Sequence, residues 1–183
     1  MAVTNSDGGS VRRRPPWRIL GWGAAGAVLL LPLLAGAPWT GSDYIVMAFL
    51  LGGAGLLLEL AVRVSGDRLY RAGAGVAVAA AFLLLWVNGA VGFLGDEDNP
   101  ANLMFLGVLA IALAGAIIAN FRATGMARAM FVTAAAQLLV GVVALAAGLG
   151  SPGYAGIYEA VMGTSVFAGL WLLSGGLFRK AAA

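Results

Sequence analysis

The stretch Asn102–Leu149, NLMFLGVLAIALAGAIIANF RATG MARAMFVTAAAQLLVGVVALAAGL, decides how this chain folds. Two long apolar runs, Asn102–Phe121 and Met126–Leu149, flank the short polar segment Arg122–Gly125. Crossing about 30 Å of hydrocarbon takes about 20 apolar helical residues, and each run is long enough. Lipid offers the backbone no hydrogen-bond partners, so each run must satisfy its own N–H and C=O groups as a helix. A connection this tight leaves room only for an antiparallel hairpin.

Four more runs of the same kind lie outside that stretch: Trp17–Ala37, Tyr44–Val64 and Tyr70–Leu94 before it, and Ile157–Phe178 after it. The expected fold is therefore all-α, a polytopic transmembrane bundle of six helices in three antiparallel hairpins with short loops, over residues 17–180. The polar, Gly/Ser/Pro-containing segment 1–16 cannot bury enough surface to fold and reads as a disordered cytoplasmic tail. Composition agrees with a membrane solvent. The 183-residue chain is 61% hydrophobic and 10% charged, far from the roughly half apolar and quarter charged of soluble domains.

Charge placement gives the spans a direction. All 11 basic residues fall on one side: Arg12, Arg13, Arg14 and Arg18, then Arg63, Arg68 and Arg71, then Arg122 and Arg128, then Arg179 and Lys180. The opposite side carries Asp43, Asp96, Glu97, Asp98 and Glu159 and no base. The positive-inside rule puts the basic side, and with it both termini, in the cytoplasm, so the expected address is the bacterial inner membrane. Trp17, Trp22, Trp39, Tyr44, Trp86, Tyr154 and Tyr158 lie mostly near span ends, as interfacial anchors do. Ala35-Gly36-Ala37 has the form of a signal-peptidase site, but the preceding run is long, Pro32 interrupts it and Pro38 follows it, so the segment reads as a retained span.

Several functional classes are removed outright. There is no cysteine and no histidine. Disulfides, iron–sulfur clusters, the usual zinc sites and Ser–His–Asp catalysis need those residues. The basic pI comes from clusters between apolar runs and not from a coherent face, so nucleic acid is not an expected partner. The expected partners are the bilayer itself and a second copy or another membrane protein. No cofactor is expected.

The candidate residues are few. Asp96-Glu97-Asp98-Asn99 on the acidic side supply hard oxygen ligands for a weak cation site, which Asp43, Glu159, Tyr154 and Tyr158 could join. The plainer reading is that acids collect where bases are excluded and that Asn99-Pro100 starts a turn and the next helix. Glu59 lies inside a span, one helical turn before Arg63, in the order that favours an i,i+4 pair; intramembrane acids also mark ion or proton pathways. Gln137, Thr133, Asn88 and Asn120 should face the bundle and hydrogen-bond across helices. Small residues at Gly73, Ala77 and Ala81, and at Ala112, Gly115, Ala116 and Ala119, should let helices approach closely. An offset of 57 residues superposes Met47 on Met104, Arg71 on Arg128 and Ala72 on Ala129, the outline of an internal duplication.

In size, hairpin layout and short loops the chain resembles small six-helix bacterial inner-membrane proteins such as the HdeD-type acid-resistance family. The segment Gly95–Met104, GDEDNPANLM, is similar to stretches of other bacterial membrane proteins. The leading expectation is a non-enzymatic accessory, assembly or stress-response component. The main alternative is a small oligomeric transporter or channel for a cation or proton-coupled solute, with an acidic outer mouth, Glu59 and Gln137 as its parts. A third is a lipid enzyme using a metal held by Asp96, Glu97 and Asp98.

Overall fold

The computed structural model describes residues 16–183, with side chains from Arg18 onward. The expected tail over 1–16 lies outside the described residues except for Pro16, which begins the first helix. Among the described residues every regular element is helical: α1 Pro16–Leu34, α2 Gly41–Val64, α3 Arg68–Val91, a 3-10 turn Pro100–Asn102 leading into α4 Leu103–Ile118, α5 Ala123–Ala147 and α6 Tyr154–Ala181. Five of these, α2 to α6 with the 3-10 turn counted into α4, are long and apolar enough to cross a membrane. α1 has 19 residues with Pro32 inside it, about 28 Å of helix. Its apolar stretch over the described residues is Arg18–Leu34.

Local chemistry explains where the helices stop, and it moves several boundaries from those expected. α2 begins at Gly41 rather than Tyr44. Asp43 Oδ2 accepts from the Thr40 backbone N–H (2.7 Å) and the Thr40 hydroxyl (2.8 Å), the reach-back arrangement that satisfies the orphan donors of a helix start. α3 begins at Arg68 because Asp67 Oδ1 accepts the Tyr70 N–H at 2.7 Å. It ends at Val91, short of the expected Leu94, because Gly92 adopts φ 71°. α5 begins at Ala123, so the expected turn Arg122–Gly125 is mostly its first helical turn. The reversal sits two residues earlier. Asn120 (φ 46°) and Phe121 (φ 56°) are both left-handed. Asparagine tolerates that region; a phenylalanine there stores about 1–3 kcal/mol of strain that its surroundings must offset.

The chain forms two compact units that divide at Ala48/Phe49, inside α2. The first holds α1, the turn after it and the start of α2. Its turn is closed by Ala37 N–H donating to Pro32 O (2.9 Å) and by an edge contact between Trp39 and Tyr44 (5.3 Å). The second unit holds the rest of α2 and a core of α3, α4, α5 and α6. In that core α6 packs along both α5 and α3, and α4 packs along α5, whereas α3 and α4 touch only weakly.

Small residues make the close seams. A Cβ on Gly141 would come within 2.7 Å of Thr164, and one on Gly115 within 2.7 Å of Ala129. Such approach brings backbones near enough for dispersion contacts to add up, which matters because burying an apolar side chain away from lipid gains no transfer energy. Of the expected small face on α3, Gly73 does pack, against Phe178. Ala77 and Ala81 instead line an open groove. α4 divides likewise: Gly115 and Ala119 meet α5, while Ala112 and Ala116 line the groove. α2 and α3 do not repeat the close pairing of α4 and α5, so the 57-residue offset has no counterpart in packing.

Candidate functional site

The acidic end is a clasp between two loops. Asn102 is buried at its hub. Its Oδ1 accepts from the backbone N–H groups of Phe93 and Leu94, both at 3.0 Å, and its Nδ2 donates to the carbonyl of Asp96 at 2.7 Å. Asn99 ties this loop to the other: its Nδ2 donates to Leu149 O at 2.8 Å while its Oδ1 accepts from Ala101 N–H. Glu159 completes the clasp, one carboxylate oxygen accepting from Gly95 N–H and Ser151 N–H at 3.1 Å each. Between the loops lies a shallow depression of about 510 Å³ lined by Gly95, Asp96, Asp98, Asn99, Gly150, Ser151 and Pro152.

Of the expected cation-site residues, Asp96, Asp98 and Asn99 line this depression and Glu97 does not. Asp96, Glu97 and Asp98 are exposed, and among the described residues no three acidic groups converge in a way that would hold a metal. Asn99 is spent on backbone partners. Glu159 is likewise occupied, and Tyr154 and Tyr158 are 80% and 56% exposed. Asp43 caps its own helix. The residues that tie the loops together here are Asn99, Asn102 and Glu159, and the sequence signal for the two amides was the Asn99-Pro100-Ala101-Asn102 stretch.

Glu59 is 8% exposed, and Arg63 Nη2 donates to its Oε2 at 3.3 Å with the arginine side chain 70% exposed. The expected i,i+4 pair thus forms, with the guanidinium reaching outward from the helix as long basic side chains do. Asn88 Nδ2 donates to Asn102 O at 3.2 Å, and its Oδ1 is buried without a partner. Thr133 donates to Ala129 O in its own helix. Asn120 is exposed in the turn.

Gln137 differs from all of these. It is fully buried, and both atoms of its amide lack a hydrogen-bond partner. The indole N–H of Trp171 is also buried and unpartnered. Gly141 faces Thr164 and Gly175 faces the Phe131 ring, so the antiparallel register of α5 and α6 sets Gln137 and Trp171 within about one helical turn, or 5.4 Å, along the axis. An unsatisfied polar group in such a place costs about 1–3 kcal/mol. Sequence reading singled out Gln137 but not Trp171, or Ser174, whose hydroxyl donates to Gly73 O at 2.8 Å between α6 and α3.

The second cavity is an apolar groove of about 260 Å³ where α3 and α4 diverge. Leu57, Leu60 and Ala61 of α2 flank it, and the buried Met126, Met130 and Trp171 form its floor. At its basic end Tyr70 and Phe121 line it and are joined by the Tyr70 hydroxyl donating to Phe121 O at 2.6 Å. Neither the depression nor the groove is lined by Glu59, Asn88 or Gln137. The chain matches no family model, no curated protein and no solved structure.

Proposed function

We propose that this chain is a non-enzymatic multi-pass protein of the bacterial inner membrane, with both termini in the cytoplasm, serving as an accessory, assembly or stress-response component through its helix surfaces. One observation carries the reading. The polar side chains that could have formed a pathway are spent on the protein's own backbone, paired with a neighbour on the same helix, or, like Gln137, buried without lining either cavity. The bias of basic side chains to one end supports the orientation, and the layout resembling the HdeD-type family supports an accessory or stress role.

The transporter reading keeps one specific support, the unpartnered amide of Gln137. Intramembrane polar groups without partners are where substrates or waters pass in other bundles. Proton and potassium flux into liposomes carrying the purified chain separates the two readings. The accessory reading expects rates equal to those of empty liposomes. Flux above that level, abolished by Gln137→Leu or Glu59→Gln, would reverse the order.

A further inference from the structure

We infer that the groove between α3 and α4 is a binding site for an anionic phospholipid of the surrounding bilayer, one acyl chain lying in the groove and the phosphate at its basic rim. This does not depend on the role proposed above, since a lipid can hold a scaffold or a transporter together equally well.

The groove has the chemistry of a tail site. Ala77, Ala81, Ala112 and Ala116 form its walls with leucines beside them. Small side chains on two facing helices normally bring them into contact; here the same residue types border open space. From Tyr70 to Leu85 along α3 the groove extends about 22 Å, comparable to the depth of one leaflet and beyond.

The rim has the chemistry of a headgroup site. Tyr70 and Phe121 mark the basic end of the groove. Arg68 lies two residues before Tyr70, and Arg122 directly follows Phe121, one Cα step of about 3.8 Å. Both arginines are exposed, and neither side chain makes an ion pair or hydrogen bond among the described residues. Three neighbouring charges are engaged: Arg71 donates to Ser65 O and Val62 O, Asp67 caps α3, and Arg63 pairs with Glu59. Uncommitted guanidiniums at this end, Arg122 next in sequence to a lining residue and Arg68 on the first turn of α3, favour an anionic headgroup over a zwitterionic one, because Arg binds phosphate bidentately and basic clefts between spans attract acidic lipids.

The test is native mass spectrometry of the full chain in mild detergent, titrated with phosphatidylglycerol or with phosphatidylcholine of the same acyl composition. The expected result is retained phosphatidylglycerol, bound on the order of ten-fold more tightly than phosphatidylcholine. Arg68→Ala with Arg122→Ala should bring the two lipids level. Ala112→Phe, which fills the groove, should remove both. Equal binding of the two lipids by the unaltered chain would overturn the proposal, as would unchanged adducts in the arginine double variant. A dimer mass that displaces lipid adducts would reassign the groove to a second copy. The arginine variant alters exposed side chains only, so it decides the matter even where Ala112→Phe fails to fold.

Discussion

The α5–α6 seam and the α3–α4 seam are built from similar residues and end up differently. Both are rich in glycine and alanine. In the first, Gly141 accepts Thr164 and Gly175 accepts the Phe131 ring, and the helices close. In the second, Ala77, Ala81, Ala112 and the buried Ala116 line a groove instead of meeting a facing helix. What differs is the number of matched knobs. A small residue permits approach, but in lipid only a complementary side chain opposite it provides dispersion contacts that are better than those made with an acyl chain. Small-residue spacing therefore marks a surface that can be approached, by a helix in one case and by a lipid tail in the other.

The contrast can be broken at its strongest point by Gly141→Val. The added carbons have no room beside Thr164, and overpacking should cost about 3 kcal/mol. Ala112→Val, on the open seam, should stay within about 0.5 kcal/mol. Reversible unfolding of both variants in the same micelle measures the pair, and equal losses would mean that the α3–α4 seam is closed in the membrane. Next in size, and opposite in sign, is Gln137→Leu. Replacing an unpaired amide by an apolar group of similar length should stabilise the bundle by about 1–2 kcal/mol. A destabilised variant would show that the amide has a partner, such as a bound water. Smallest is Ser174→Ala, which removes the hydroxyl bonded to Gly73 O; hydrogen bonds between spans average about 0.6 kcal/mol. A melting temperature unchanged within error would place the α3–α6 contact on packing alone.

The helical spans were legible because their cause is local: an uninterrupted apolar run in lipid has one good conformation. Caps were partly legible for the same reason, as with the Asn-Pro start of α4. The turn at Asn120–Phe121 was not. A phenylalanine in left-handed backbone runs against local preference, and what holds it is Tyr70, 51 residues earlier in the chain. Nor could hydropathy show that α3 and α4 diverge, since helices apolar on every side carry no stripe to name their neighbours. The organisation of the acidic end was hidden for a related reason. Its charges were conspicuous, but the residues that organise that end are two amides and one distant glutamate, whose roles depend on loops meeting in space.

The Tyr70–Phe121 hydrogen bond has one further consequence. It ties the two sides of the groove together at its basic end, so a long hydrophobic guest reaches the groove most directly through its open flank rather than lengthwise past that bond. Entry is sideways, from within the plane of the bilayer. Occupancy then follows the mole fraction of the guest among neighbouring lipids rather than any concentration in bulk solution, and exchange occurs at the pace of two-dimensional diffusion and local crowding. A cell that changed its lipid composition would change what this groove holds without making or degrading a single copy of the protein.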